Sequence, residues 1–211
     1  MLVSVSILSS VYKAKEIVEK INKTTADFIH LDIMDGKFVE NKTFTFNEIK
    51  KLVNFSNKKL DVHLMVKNPL KYIEDYALLN TEYITFHYES VNNHIDIINK
   101  IKEYGLKVGI SIKPKTDVSE IENILKYLDL VLIMGVEPGK SGQDFKESTL
   151  DKIEKLKQVI VENGYKTIIS VDGGINDEVF KMVKEKGADM IVSASYLHEG
   201  DMEEKIKEFK V

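Results

Sequence analysis

The sequence predicts an α/β fold in which eight parallel strands, each followed by a helix, close into a (β/α)8 TIM barrel. Runs rich in β-branched residues recur through the 211 residues, and amphipathic segments lie between them. This alternation implies parallel strands joined by helical crossovers. A doubly wound open sheet is the alternative, but regular repeats without a nucleotide fingerprint favour closure. Because the sequence contains no linker-like segment, we expect one domain over residues 1–211.

Each predicted strand is a short run of β-branched and aromatic residues. In chain order the predicted strands are 2–8, 27–33, 60–66, 83–87, 107–112, 128–134, 167–171 and 190–193. Several of them, such as 131–134, are apolar on both faces, as expected where helices cover one side and a barrel interior the other.

The segments between the strands carry apolar residues at three- and four-residue spacing, which predicts amphipathic helices. Three of these helices are marked by the apolar sets Ile17, Val18 and Ile21; Ile95, Ile98 and Ile101; and Ile153, Leu156 and Ile160.

Composition excludes several classes of function. The net charge of −4 comes from lysines and acidic residues mixed along the chain, so no nucleic-acid surface is predicted. The absence of cysteine excludes disulfides, thiolate metal sites and cysteine nucleophiles, and it suits a cytoplasmic protein. The N-terminus has a strand pattern rather than that of a signal peptide, and no apolar run is long enough to span a membrane.

Four polar residues fall at or near the C-terminal ends of predicted strands, where a TIM barrel has its active site. His30 and Asp32 are two apart on the second strand and therefore share a face. His63 is expected to end the third strand, and Asp172 to end the seventh. If these strand ends converge, two imidazoles and two carboxylates surround one point. Such a set suits zinc, manganese, iron or cobalt without choosing among them.

Other residues near these four have competing explanations. Asp35 is better read as a turn former with Gly36 than as a catalytic group. Asp61 shares a face with His63, and a buried structural hydrogen bond is favoured over metal ligation. The methionines of the same region are either core packing or an apolar cap over a charged intermediate: Met34, Met65 and Met134.

Small residues cluster after strands six, seven and eight, where this fold usually binds phosphate. Their backbone amides can approach an anion closely. The candidate residues are Gly139, Lys140, Ser141 and Gly142 after strand six, Gly173 and Gly174 after strand seven, and Ala194 and Ser195 after strand eight.

Together these segments resemble the ribulose-phosphate 3-epimerase family over nearly the whole chain. The residues that carry the resemblance are Ser6-Ile-Leu-Ser9, His30-Leu-Asp32-Ile-Met34-Asp-Gly-Lys-Phe-Val, Asp61-Val-His63-Leu-Met65-Val, Met134-Gly-Val-Glu-Pro-Gly and Val171-Asp172-Gly-Gly-Ile.

The resemblance implies epimerisation of D-ribulose 5-phosphate to D-xylulose 5-phosphate in the pentose phosphate pathway, through a metal-stabilised enediolate. It implies that one divalent metal is bound by His30, Asp32, His63 and Asp172, with Asp32 and Asp172 as the acid/base pair. It also implies a homo-oligomer and substrate contacts from Ser6, His63, the three methionines and the glycine-rich loops.

The chain departs from the family's usual sequence near the phosphate site. Lys140-Ser141 stands where Phe-Gly is usual, Ala194 replaces glycine, and Glu40 replaces proline. Val5 replaces a proline, and Val11 an acidic residue two after Ser9. A backbone that required positive φ would strain Ala194 by about 1 kcal/mol. These changes bear on phosphate affinity rather than on the chemistry.

Three other functions remain open. A relative that epimerises a six-carbon ketose phosphate, such as D-allulose 6-phosphate, would keep the same metal site. A metal-free phosphate-binding barrel enzyme would leave His30 and His63 unexplained. A barrel that binds a sugar phosphate without turning it over would be identified by zero turnover with metal present.

Overall fold

The computed structural model describes residues 1–8 and 14–211 and has the predicted architecture. Eight parallel strands pair in chain order, and the eighth pairs with the first, so that the sheet is a closed barrel. This closure rules out the open doubly wound sheet. Two residues named in the comparison with the family lie outside the described residues: Ser9, the last residue of the Ser6–Ser9 segment, and Val11, which replaces an acidic residue.

The strands lie within two residues of their predicted bounds. They are β1 Leu2–Ser6, β2 Phe28–Met34, β3 Lys59–Met65, β4 Thr81–His87, β5 Lys107–Ile112, β6 Leu130–Met134, β7 Ile168–Asp172 and β8 Met190–Ser193. Asp172 and Met134 end their strands as predicted. His30 and His63 lie deeper in the barrel than predicted, because β2 and β3 each continue to a methionine.

The two faces of the strands have different roles. One face of every strand joins a large apolar core shared with the surrounding helices. The inward face holds a smaller apolar group formed by Tyr83, Leu130, Leu132, Met134, Met190 and Val192. Strands β1 to β4 instead contribute buried polar side chains, including Ser4, His30, Asp61 and His63. The barrel interior therefore combines an apolar group with buried polar side chains, and three of the four candidate ligands, His30, Asp32 and His63, come from β2 and β3.

The helices are amphipathic, and their apolar faces cover the barrel. They are α1 Ala14–Ile21, α2 Phe46–Val53, α3 Leu70–Ala77, α4 His94–Glu103, α5 Ser148–Glu162, α6 Asp177–Glu185, α7 Ser195–His198 and α8 Met202–Lys210. The longest has 15 residues. Within the described residues, no helix combines the length and the apolar character needed to cross a membrane.

The predicted apolar faces of α1 and α5 are buried, but that of α4 is partly wrong. Ile98 and Ile101 are buried, whereas Ile95 is 38% exposed and Ile97 is buried in its place. Residues 97, 98 and 101 subtend one stripe at 100° per residue, and residue 95 lies outside it. Spacing alone did not distinguish the two stripes because both contain isoleucines.

The connection between β5 and β6 lacks the predicted α-helix. Two 3₁₀ turns, Val118–Glu120 and Leu125–Tyr127, replace it. Buried apolar residues recur there every three positions, at Val118, Ile121 and Ile124. The amide of Ile121 donates a hydrogen bond to the carbonyl of Val118, and the amide of Ile124 donates one to the carbonyl of Ile121. A period of three suits 3₁₀ geometry, in which residues i and i+3 lie on one side.

Candidate metal centre and active site

The four predicted ligands converge on one point. One donor atom from each of His30, Asp32, His63 and Asp172 can be chosen so that all four lie within 4.8 Å of one another. Asp32 and His63 are register partners on β2 and β3. Asp172 arrives from β7 across the barrel. Closure of the sheet therefore assembles the set that the sequence only suggested.

His30 is fully buried and is held by one carboxylate on each side. Its Nδ1 hydrogen-bonds to Oδ2 of Asp61 at 2.7 Å, and Asp61 also accepts a bond from the Ser4 hydroxyl. Its Nε2 lies 3.3 Å from Oδ1 of Asp32. Burial disfavours the charged ring, but Asp32 and Asp61 outweigh it and raise the pKa of His30 well above its usual value. Asp61 thus has the structural role predicted for it.

Asp32 occupies the centre of the group. Its Oδ1 lies 3.3 Å from Nδ1 of His63, and its Oδ2 accepts a 2.8 Å hydrogen bond from the Ser6 hydroxyl. Burial raises the pKa of this carboxyl, but the charge of His30 and the close polar contacts of His30 and His63 more than reverse that effect. The net result is a pKa well below the usual range, so Asp32 is a carboxylate.

Asp172 has the opposite electrostatic environment. Burial, and after it the neighbouring charge of Asp32, raise the pKa of Asp172 to about 6. Its side chain is 19% exposed, lines the cavity and has Oδ2 3.9 Å from Nδ1 of His63. Its backbone carbonyl accepts a 2.7 Å hydrogen bond from the amide of Gly135, which fixes the end of β7 against β6. Two carboxyl groups whose pKa values are pushed apart are chemically suited to act as an acid and a base.

The group has the chemistry of a divalent-cation site. It offers two imidazole nitrogens and two carboxylates, the donors that zinc and the neighbouring first-row metals accept. Nε2 of His30 is buried and makes no hydrogen bond with any described residue. A cation there would satisfy this atom and neutralise the two carboxylates, and this is the fit expected of a metal centre.

A cavity of about 450 Å³ opens above the candidate ligands. Asp32 and Asp172 line it, together with Ser6 and the methionines at 34, 65 and 134. The three methionines are at most 5% exposed. They surround the carboxylates with apolar surface and so limit the access of water. His63, predicted also to contact substrate, is fully buried and is not among the lining residues.

The predicted small residues after β6, β7 and β8 all line this same cavity. Gly173 and Gly174 have φ of 106° and 72°, a region that L side chains rarely adopt. A Cβ on Gly173 would lie 2.4 Å from Cγ2 of Val136, and one on Gly174 would lie 2.6 Å from the backbone nitrogen of Phe145. Only glycine therefore lets these two loops approach each other at the cavity wall.

Comparison with known proteins agrees with this geometry. Residues 2–198 match the profile described as "Ribulose-phosphate 3 epimerase family". The chain belongs to the ribulose-phosphate 3-epimerase family. It is 41% identical to the ribulose-phosphate 3-epimerase of Treponema pallidum, covering 84% of this chain and 81% of that protein. It is 37% identical to that of Bacillus subtilis, covering 99% and 97%.

Solved structures agree on the fold. A 3-hexulose-6-phosphate synthase superposes with a TM-score of 0.69 at 15% identity, covering all of this chain and 98% of the other. At that identity the likeness concerns the barrel alone. The family membership makes this chain an enzyme, an epimerase within the isomerases, and its barrel contains a group of residues that could hold a metal ion.

Two departures from the family's usual sequence face each other at the cavity rim. Nζ of Lys140 lies 3.8 Å from Oε2 of Glu40, and both side chains are mostly exposed. Asn41 also donates a 2.7 Å hydrogen bond to the carbonyl of Gly139. The two rim loops are thus linked by a direct bond and by a weak ion pair.

Ala194 departs from the family without having the positive φ that would favour glycine. Its φ is −120°, and the described residues contain no non-glycine residue with positive φ. The backbone here does not need the conformation that would have penalised alanine. Asp35 likewise has its predicted turn role: its Oδ1 accepts from the amides of Lys37 and Phe38.

Two further residues beside the candidate ligands were not predicted from the sequence: His87, which ends β4, and Glu89, which lies in the turn after it. Nε2 of His87 lies 2.9 Å from Nε2 of His63, and its Nδ1 lies 3.2 Å from Oε2 of Glu89. Burial lowers the pKa of His87 to about 4. Burial tends to raise the pKa of Glu89, but hydrogen bonds, of which that from His87 has the largest effect, lower this pKa to about 2. A polar residue at the C-terminal end of a strand was the signal available for His87.

Proposed function

We propose that this chain catalyses the reversible epimerisation of D-ribulose 5-phosphate to D-xylulose 5-phosphate, in the pentose phosphate pathway. The observation that carries the proposal is the placement of two carboxyl groups beside one cavity. Asp32 and Asp172 come from β2 and β7, which β1 and β8 separate in the barrel. Inversion at one carbon requires two such groups, one for each face of the substrate.

The two aspartates supply the acid and the base. Inversion at C3 of a 2-ketose phosphate removes a proton next to the carbonyl and returns one to the opposite face. Asp32, whose pKa is lowered, is a carboxylate that can accept a proton, and Asp172, whose pKa is raised, holds a proton more readily than an ordinary aspartate and can donate it. In the reverse direction the two groups exchange roles, as microscopic reversibility demands.

His30, Asp32, His63 and Asp172 would hold one divalent cation: zinc, iron, manganese or cobalt. When bound, such a cation supplies a Lewis acid that stabilises negative charge developing on the substrate oxygens, an effect worth several kcal/mol. Asp61 holds the ring of His30 for this purpose through the 2.7 Å bond to Nδ1. Donors held this firmly need little reorganisation on binding.

The remaining residues would orient the substrate and keep water out. Backbone amides of residues 139–142, Gly173, Gly174, Ala194 and Ser195 are the proposed phosphate site, because they line the cavity on the side of β6 to β8. Ser6 would contact the sugar end beside Asp32. The apolar side chains of Met34, Met65 and Met134 would cover the charged intermediate and slow the loss of its proton to water.

We also propose that residues 1–211 form one domain, since β1 and β8 pair with each other and neither end of the barrel can be removed without opening it. A six-carbon ketose phosphate remains the second candidate substrate, because the acid/base pair and the cation ligands would serve both sugars equally.

The test is epimerisation of D-ribulose 5-phosphate by the purified protein, with and without a chelator, beside an Asp172→Asn variant. We expect chelator-sensitive formation of D-xylulose 5-phosphate and its loss in the variant. Asp189→Asn is the matched control, because Asp189 lies before β8 at the opposite barrel end and bonds only Lys157 and backbone there. It should keep its activity.

No turnover with any added divalent metal would defeat the proposal. Turnover of D-allulose 6-phosphate alone would then support the six-carbon alternative. Binding of either sugar phosphate without turnover would support a binding protein. Full activity of the Asp172→Asn variant would remove Asp172 from the acid/base pair.

A further inference from the structure

A buried hydrogen-bonded row leads away from the candidate metal centre on the side of β3 and β4. It runs from His63 through His87 to Glu89, with contacts of 2.9 Å between the two Nε2 atoms and 3.2 Å between Nδ1 of His87 and Oε2 of Glu89. Both imidazoles are fully buried. Neither His87 nor Glu89 takes part in the acid/base chemistry proposed above.

The outer end of the row is fixed by a backbone amide, which can only donate, and by a hydroxyl that donates here. Oε1 of Glu89 accepts a 2.7 Å hydrogen bond from the backbone amide of Lys113 and another from the hydroxyl of Thr116. Its Oε2 therefore remains as an acceptor for His87. Because a carboxylate can only accept, Nδ1 of His87 must carry a proton.

The proton positions then follow inward along the row. A neutral His87 protonated at Nδ1 has a bare Nε2, which accepts. Nε2 of His63 must therefore carry a proton and donate to it. This leaves Nδ1 of His63 as the atom that can coordinate, and Nδ1 is the atom that faces Asp32 and Asp172, at 3.3 and 3.9 Å.

Contacts with neighbouring rings also position the imidazole of His87. Phe38 packs against His87 with ring centroids 4.7 Å apart, and Nζ of Lys113 lies 4.1 Å from the Phe38 ring centroid. The His63 and His87 rings are themselves 4.9 Å apart. These ring contacts and the two hydrogen bonds hold His87 with its Nε2 facing His63.

We propose that Glu89 and His87 are positioning residues that fix the tautomer of His63 so that its Nδ1 is available to the metal. The inference rests on the proposed function for its purpose but concerns the protons of two histidines. It distinguishes the two histidine ligands: Asp61 bonds Nδ1 of His30 directly, whereas Nε2 of His63 is linked to a carboxylate, Glu89, only through a second imidazole.

A single isosteric substitution should reverse the whole row. In Glu89→Gln the side-chain carbonyl should stay on the Lys113 amide, which can only donate, so the amide NH₂ faces Nδ1 of His87. Nδ1 must then accept, Nε2 of His87 donates to His63, and the His63 proton moves to Nδ1. That proton occupies the position the metal needs.

The experiment has two readouts, neither of which uses substrate. Long-range ¹H–¹⁵N NMR of histidine-labelled protein reports which ring nitrogens carry protons, in the metal-free and the zinc-loaded state. In the wild type we expect protons on Nε2 of His63 and Nδ1 of His87. In Glu89→Gln we expect them on Nδ1 of His63 and Nε2 of His87. Titration with Co²⁺, followed by its visible absorption, should give an affinity about 10- to 100-fold weaker in the variant.

Glu82→Gln is the matched control. Glu82 lies on β4, the strand that carries His87, and its side chain is covered to a similar extent as that of Glu89, but it pairs with Lys59 and Lys107 at the other end of the barrel. It should leave the Co²⁺ affinity unchanged. His87→Gln, whose carbonyl can still accept from His63, should bind Co²⁺ more tightly than His87→Leu, which can not.

A proton on Nε2 of His87 in the wild type would overturn the proposal, as would wild-type Co²⁺ affinity in a folded Glu89→Gln variant. Failure of the proposed function has a different signature. In that case the wild type has the expected tautomers and binds Co²⁺ but does not epimerise the sugar phosphate.

Discussion

The hydroxyl of Ser6 donates a 2.8 Å hydrogen bond to Oδ2 of Asp32, from β1 to the neighbouring strand β2. Ser6 also lines the cavity and accepts a bond from the amide of Leu8. One hydroxyl therefore holds a proposed base and touches the space where the substrate would lie.

Replacing Ser6 by alanine should lower kcat/KM by about 10- to 100-fold, because a hydrogen bond to a charged group contributes about 1.5–3 kcal/mol. Steady-state kinetics measures this. Ser170→Ala is the control, since Ser170 is buried in the barrel with no hydrogen-bond partner among the described residues. Equal losses in both variants would contradict a specific role for Ser6.

Metal should stabilise the folded protein. A cation that binds only the native state at about 1,000 times its dissociation constant adds about 4 kcal/mol to the free energy of unfolding. We expect Co²⁺ to raise the Tm of the wild type and to have little effect on a His30→Gln variant, which lacks one donor. Differential scanning calorimetry measures both. An equal rise in the two proteins would place the bound metal elsewhere.

Without metal, Asp172 should make stability depend on pH. Its pKa is raised to about 6 in the folded state, so the folded protein favours its protonated form. The favourable contribution is complete below about pH 4 and is lost as pH rises through 6, by about 3 kcal/mol. Urea unfolding in the presence of chelator should show this loss in the wild type and not in Asp172→Asn. Parallel pH profiles would exclude it.

Alanine at Gly173 should damage both the fold and the cavity. The backbone φ of 106° and the 2.4 Å approach to Val136 should cost about 2 kcal/mol or more, and KM should rise. Gly164→Ala is the control: φ is 65° and a Cβ there meets no atom within 4 Å. It should cost about 1 kcal/mol and leave KM unchanged. A normal KM in Gly173→Ala would argue against the phosphate site.

The rim pair of Lys140 and Glu40 should tune phosphate affinity. Removing the lysine charge in Lys140→Met should raise KM a few fold, and removing the opposing carboxylate in Glu40→Gln should lower it, with kcat unchanged in both. Because both groups are exposed, the two effects should shrink as salt is added. Salt-independent KM values would mean that neither charge senses the phosphate.

Local pattern predicted much of this protein. Period-two alternation placed His30 and Asp32 on one face of β2, and strand ends pointed to Asp172 and Met134. The local pattern was wrong about which face of α4 is buried, and it predicted an α-helix in the β5–β6 connection where two 3₁₀ turns occur. There the sequence has several apolar stripes, and only contact with the barrel determines which one is buried.

The sequence by itself determined the strands, the inward faces and the identity of the four candidate ligands, because these depend on periods of two and 3.6 residues along the chain. Only the tertiary structure decided which strand ends meet. Closure through β8 and β1 brings Asp172 to His63, and register along β3 and β4 brings His87 behind it. Such contacts join distant segments through the shape of the whole barrel, and no local pattern encodes them.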